Sequence, residues 1–389
     1  MPIADTYKKI VTFLDKSLSL SLVKRNTPNY DYILQGVLFT FDSLAAKGKY
    51  FMVNSLNRIL IEATVRRTLK QIKDDPERST RNLVDMALNF SEGRFQQHFF
   101  ETAQRMLKNE HSSYYQMIPD AISTIDTERI ITFGMNVGYN SCTAGANIIR
   151  TLESEEHFSI PWSITLSMSG ADYINRDNSY LSLIEQGEKM GIYTWFIYVS
   201  DGITPVLELA EKFPQSAFVI LCSPNEITDS LLDESNQLYN LMYALEYTDG
   251  VEEACMLLRA RGFLYSVYYP YKETDADKIL NGDLFSDTEI LHPVFTILFA
   301  YPTCPFHVQT TVYQYIQQTR EEQNYRTLAY DLIYDNHFID GIISDESISI
   351  GFNPDGNCIS RMHQFAEENY SFFDYPLAEI LKKVSQKKA

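Results

Sequence analysis

Cysteine is scarce and scattered: Cys142, Cys222, Cys255, Cys304 and Cys358 are the only five in 389 residues. The nearest pair, Cys222 and Cys255, lies 33 residues apart, so no C-x2-C or C-x3-C occurs. An odd count at irregular spacing excludes a disulfide framework and fits reduced thiols in a cytosol. Basic residues are also in deficit, 33 Lys and Arg against 51 Asp and Glu, for a formal net charge of −18. A phosphate backbone or an anionic membrane surface wants clustered Lys and Arg, so neither nucleic acid nor membrane is expected as a partner. No apolar run reaches the ~18 residues of a membrane span. The opening segment MPIADTYKKIVTFLDKSLSL lacks a signal-peptide core and cleavage site, which leads us to expect a cytoplasmic protein. The glycine-rich phosphate-cradling turns G-x-G-x-x-G and G-x4-G-K-[ST] are absent, as is the G-x-S-x-G of a nucleophile elbow.

What is present is a globular composition, 45% hydrophobic with 16 Gly and 14 Pro, and two textures. Residues 1 to about 155 read as helix throughout. Met52, Val53, Leu56, Leu60, Ile61 and Val65 recur at three- and four-residue steps, one buried stripe on a helix. Asp75-Pro76 breaks it, and further helices are expected over 79–91, 93–108 and 113–125. From Ile160 short apolar runs alternate with amphipathic segments. The runs are Trp162–Met168, Ile192–Val199, Ala217–Cys222, Leu241–Leu245, Phe263–Tyr269 and Phe295–Tyr301. Near-continuous apolar strands between helices imply a parallel sheet covered on its outer face. The fold class expected is therefore α/β, a partial (β/α)6 barrel after an all-α N-terminal domain. Beyond it, 306–323 reads as a helix and 340–352 as a strand pair. A turn at Asn353-Pro354-Asp355-Gly356 and a helical tail over 376–389 follow. The expected division is 1–155, 156–305 and 306–389.

In such a barrel the chemistry gathers where the strands end. Those ends carry Asp172, Asp201, Asn225, Glu226, Tyr269 and Tyr301, which form the expected substrate-binding mouth. With Glu246 they supply carboxylates able to do acid–base work or hold a divalent cation. The bland alternative is that Asp201 and Glu226 simply complement the helices that follow them.

The order of several segments resembles the radical S-adenosylmethionine (radical SAM) proteins. Phe133-Gly134-Met135-Asn136-Val137-Gly138 resembles a lead-in segment of one branch, and Ile160-Pro161-Trp162-Ser163-Ile164 its first-strand opening. Gly187–Tyr193 resembles the passage from first helix to second strand, and Asn353–Gly356 a late turn. The resemblance covers roughly 130–360 and implies a partial barrel of the radical SAM type. It also implies a [4Fe–4S] cluster on three thiolates, C-x3-C-x2-C, after the first strand. Here that stretch reads SMSGADYINRDNSY over Ser167–Tyr180, with no Cys and no His. Iron–sulfur iron needs soft anionic ligands, so no cluster is expected and no catalytic or metal-binding residue is assigned. Further cysteines common near the family's C-terminus are matched by Ile342 and Arg361.

The family's glycine-rich turn after the second strand is matched by Asp201-Gly202-Ile203-Thr204-Pro205, with Thr204 at the acidic position. The resemblance makes Gly202, Pro205, Glu246 and Ser266 vestigial S-adenosylmethionine positions, which leaves room for that molecule without a cluster. Three readings follow. The first is a radical-SAM-like pseudoenzyme that holds a peptide or small molecule, or forms a homodimer or a heterodimer with an active relative. The second is residual S-adenosylmethionine or nucleoside binding. The third is a non-radical enzyme using the carboxylates at the mouth.

Overall fold

A computed structural model describes residues 49–72, 94–344, 347–360 and 370–385, with isolated positions between 78 and 88. The helix expected over 79–91, Arg361 and the last four residues therefore lie wholly or partly outside the described residues. The chain divides into two compact units, Met1–Ile59 and Leu60–Ala389. The described part of the first is the start of a helix, Lys49–Ile72. The rest of this section concerns the second.

Its centre is a nine-stranded sheet. The strands are β1 (Ser163–Ser169), β2 (Thr194–Asp201), β3 (Ala217–Cys222), β4 (Leu241–Glu246), β5 (Tyr265–Tyr271), β6 (Phe295–Ala300), β7 (Leu328–Asp331), β8 (Ile350–Phe352) and β9 (Cys358–Ser360). They lie in the order β7-β6-β5-β4-β3-β2-β1-β8-β9. All neighbours are parallel except the β8–β9 hairpin, and β7 and β9 are the two edges. Helices fill the crossovers, among them Gly170–Met190, Thr204–Lys212, Val251–Ala260 and Phe306–Glu322.

The six expected parallel strands are all present, and two more join them. β7, Leu-Ala-Tyr-Asp, is four residues long and has no apolar run to betray it. The stretch expected as a strand pair over 340–352 is helical to Ile343, in the helix Tyr334–Ile343. Only Ile350–Phe352 pairs, parallel to β1 on one side and antiparallel to β9 on the other. Asp340 explains the difference. Fully buried, its two carboxylate oxygens accept the backbone N–H groups of Trp162, at 2.9 Å, and Ile348, at 2.6 Å. It ties the end of that helix to the approach of β1.

Period-two alternation sorts the strand residues. Ile164, Leu166, Met168, Trp195, Ile197, Phe218 and Ile220 bury outward against the crossover helices. Thr165, Ser167, Phe196, Tyr198, Val219 and Leu221 have the opposite parity. The inner face is apolar towards the N-terminal ends of the strands, where Phe196, Val219, Met242, Leu264 and Ile297 pack with Phe133 and Ile125.

Those last two residues belong to the helical segment that closes the barrel floor. Asp126 caps helix Thr127–Met135 by accepting from the N–H groups of Glu128 and Arg129. The helix widens into a π-helical stretch, Asn136–Gly145, and resumes as Ala146–Glu156. Its polar side chains meet the loops that lead into the strands. Arg129 donates to the carbonyls of Leu238 (2.8 Å) and Asn236 (2.9 Å) ahead of β4. Asn136 donates to those of Pro214 and Ser216, both at 3.0 Å, and Asn140 to that of Gln215 at 2.8 Å, all ahead of β3. The Ser141 and Thr194 hydroxyls pair at 2.7 Å. Each bond satisfies a backbone carbonyl or hydroxyl that the apolar floor would otherwise strand.

Candidate ligand-binding site

The opposite end of the barrel is open. A cavity of about 370 Å³ is lined by residues from all nine strands or the residues directly after them, which shows how far the sheet curls. Its volume falls at the lower end of small-molecule sites. Leu221, Phe299, Leu332 and Ile350 supply apolar wall; Thr165, Ser167, Tyr198, Tyr301 and Ser349 supply hydroxyls. Among the described residues Glu246, the last residue of β4, is its only charged lining group, and no described Lys, Arg or His lines it.

The carboxylate of Glu246 sits among rings. The Tyr268 hydroxyl donates to Glu246 Oε2 at 3.3 Å. Tyr268 stacks on Phe299 with centroids 5.8 Å apart and meets Tyr198 edge-on at 6.5 Å. Burial, and next the Glu246 charge, hold the Tyr268 hydroxyl far above its ordinary pKa. Burial and then Glu246 push Tyr198 up in the same way. Both phenols thus stay neutral and serve as donors and ring faces. Tyr198 and Tyr301 are each 38% exposed, so their rings remain reachable from solvent.

In the segment that the resemblance assigns to a cluster loop, β1 is followed at once by helical backbone over Gly170–Met190, kinked at Arg176, whose φ/ψ of −139°/22° are not helical. Gly170 N–H donates to Asp201 Oδ1 at 3.1 Å, and a Cβ on Gly170 would stand 2.9 Å from the Asp201 carbonyl oxygen. The helix thereby abuts the β2 turn. Tyr173 and Tyr180 are buried in the outer core, not turned to the cavity. Tyr180 meets Phe372 and Phe373 edge-on, and the Arg176 guanidinium lies 4.1 Å from the Phe373 ring centre.

Nor do the donors elsewhere suit a cluster. All five cysteines are buried. Burial pushes the thiols of Cys142, Cys255 and Cys358 up to about 12. Among the described residues no three His, Cys, Asp or Glu side chains converge. The five cysteines therefore offer no set of three converging thiols that would suit a [4Fe–4S] cluster.

Of the vestigial cosubstrate positions only Glu246 lines the cavity. Gly202 takes φ of +67° in the β2 turn, and Pro205 is buried in the first turn of helix Thr204–Lys212. Ser266 is fully buried and engaged, donating to Met242 Sδ at 3.3 Å and accepting from Phe295 N–H at 3.2 Å. Of the described mouth residues Tyr301 lines the cavity, and Asp201, Asn225, Glu226 and Tyr269 do not. Asp201 is taken up by Gly170 and by Ser200 Oγ, at 3.1 Å. Asn225 and Glu226 lie in a short 3-10 turn, with Asn225 exposed. Tyr269 packs edge-on against Tyr247, 6.3 Å away. Asp172 falls in the helix Gly170–Met190, and its side chain lies outside the described residues. Of the carboxylates expected together, Glu246 lines the cavity and Asp201 and Glu226 do not. Thr165, Tyr198 and Phe299 were not anticipated. Strand parity was the available signal for Thr165, because Ile164, Leu166 and Met168 are the outward-facing set.

No family model and no curated protein matches this chain. Three solved chains are similar to it. One is the crystal structure of Streptococcus suis SuiB bound to S-adenosylmethionine, at 9% identity over 61% of this chain and 67% of that one, with a TM-score of 0.46. Among the described residues no helix is long and apolar enough to cross a membrane.

Proposed function

We propose that this chain is a non-catalytic binding protein, a radical-SAM-like pseudoenzyme that carries no iron–sulfur cluster and holds a small molecule, or the end of a peptide, in the concave cavity. One observation carries the reading. β1 passes into a cysteine-free helical segment, kinked at Arg176, where the resemblance would put three thiolates, while the cavity is lined from every strand and, among the described residues, is open. One-electron cleavage of a sulfonium is cofactor chemistry, and a protein scaffold supplies only position and field. A barrel without the cofactor's ligands keeps the binding part of that task. A homodimer or a heterodimer with an active relative is compatible with the same reading.

Residual S-adenosylmethionine or nucleoside binding is the second reading, favoured by Glu246 alone among the four expected positions. The non-radical enzyme is favoured by nothing comparable, since acid–base work on the expected carboxylates needs more than one of them in reach. The test is a thermal-shift screen of nucleosides, S-adenosylmethionine, amino acids and short peptides against the wild type and Ser167→Trp, which fills the cavity. At least one compound should raise the wild-type melting temperature and leave the variant's unchanged. Compounds that shift both proteins equally, or none that shifts the wild type at millimolar concentration, would remove the proposal.

A further inference from the structure

The charge balance of the cavity goes one step further than its shape. Glu246 is a carboxylate at the end of β4 and, among the described residues, the sole charged group of the lining; the hydroxyl of Tyr268, a neutral phenol, donates to it at 3.3 Å. No described Lys, Arg or His lines the wall. Among the described residues the exposed Lys272 ammonium is the one that approaches a lining ring, 5.1 Å from the centre of the Tyr301 ring. A carboxylate facing a largely apolar space is matched best by a guest that brings both hydrogen-bond donors and a positive charge to it.

The walls offer a cation more than that one charge. Tyr198, Phe299 and Tyr301 line the space, and Tyr268 stacks beneath Phe299. Aromatic faces attract organic cations through the ring quadrupole, by roughly 0.5–2 kcal/mol per contact and more when water is excluded. The chain as a whole carries −18, so its long-range field also draws cations inward. An anionic guest would meet Glu246 with no compensating group, and a neutral guest would leave the carboxylate partly dehydrated.

We infer that the cavity selects a small organic cation, an alkylated ammonium, guanidinium or sulfonium, with its charge at Glu246 and its alkyl or aryl groups against Tyr198, Phe299 and Tyr301. The inference rests on the cavity's being a binding site, and the experiment separates the two. Two matched pairs of probes differ in charge and hardly in shape: choline against 3,3-dimethyl-1-butanol, and S-adenosylmethionine against S-adenosylhomocysteine. Calorimetric or ligand-observed NMR titrations are run on the full chain, on Glu246→Gln and on Ser167→Trp. In at least one pair the cation should bind the wild type tenfold or more tightly than its neutral partner. Its affinity should fall as salt rises, and Glu246→Gln should bring the pair together without moving the melting temperature. Two neutral and cationic partners that bind equally well, and are both lost in Ser167→Trp, would overturn the cation selectivity and keep the cavity. A preference that survives in Glu246→Gln would overturn the role of Glu246. No binding of either cation to the wild type would also overturn the inference, while the thermal-shift screen decides separately on the cavity.

Discussion

The floor and the mouth of this barrel are made from the same nine strands and treat polar groups in opposite ways. At the floor every polar side chain brought inward is spent on the protein itself. Arg129, Asn136 and Asn140 are buried and bonded to the loops entering β3 and β4, and Ser141 to the first residue of β2. At the mouth the inward polar groups, Ser167, Tyr198, Glu246 and Tyr301, line free volume. The contrast separates groups that stabilise the fold from groups positioned to meet something else. It also shows what the helical segment of the second unit does: parts of it between Tyr114 and Glu156 pack against one end of the sheet's inner face, away from the cavity.

Substitutions can break this comparison. The largest effect is expected at Gly191, which holds φ of +94° and approaches the floor helix so closely that a Cβ would stand 2.5 Å from the Gly145 carbonyl oxygen. Gly191→Ala combines left-handed strain with overpacking against backbone, together about 3 kcal/mol or more, read as a lowered urea midpoint or loss of folded protein. Next comes Arg129→Met. It strips the Leu238 and Asn236 carbonyls of their donor and the Phe263 ring of a guanidinium 3.7 Å from its centre, and should destabilise by about 3 kcal/mol.

A pH-dependent difference is expected at Asp340. Burial holds its carboxyl well above the usual range, against the opposing pull of two backbone N–H groups. Below about pH 4 the group is protonated in both folded and unfolded chains. As pH rises the unfolded chain loses the proton first, so this group's contribution to stability falls until the folded pKa is passed. Asp340→Asn lacks the titration. The stability of the wild type relative to the variant should therefore drop with rising pH, by up to about 1.4 kcal/mol per pH unit, in denaturant melts across that range. An unchanged difference between the two proteins would show that the carboxyl is ionised in the fold.

The mouth should tolerate far more. Gly202 also has a positive φ, +67°, but nothing lies within 4 Å of a Cβ there. Gly202→Ala should carry only the backbone penalty, about 1 kcal/mol. Tyr198→Ala should change stability least, within about 0.5 kcal/mol, because its ring is already 38% exposed. A large loss there would make Tyr198 a structural residue and erase the distinction between the two ends.

Much of the sheet was legible because strands of a parallel sheet are buried on both faces and read as apolar runs; Phe218 to Cys222 is buried throughout. β7 escaped because four residues ending in Tyr330 and Asp331 carry no such run. Residues 340–343 alternated like a strand but are helical, because tertiary bonds to Asp340 outweigh local pattern. The floor contacts were not legible at all. Asn136 and Asn140 look like solvent-facing helix residues until the loop ahead of β3 is brought against them. At the mouth, Glu246 and Tyr301 could be named from their positions at strand ends. Asp201 could not be told apart from them, because its carboxylate is claimed by Gly170, a partner 31 residues away that only the fold brings near.

The most direct test of the whole account is anaerobic reconstitution of the full chain with iron and sulfide, followed by iron and acid-labile sulfide analysis and a visible spectrum. We predict a colourless protein with no stoichiometric iron or sulfide after desalting. Stoichiometric metal and sulfide with a cluster spectrum, retained on desalting, would contradict it.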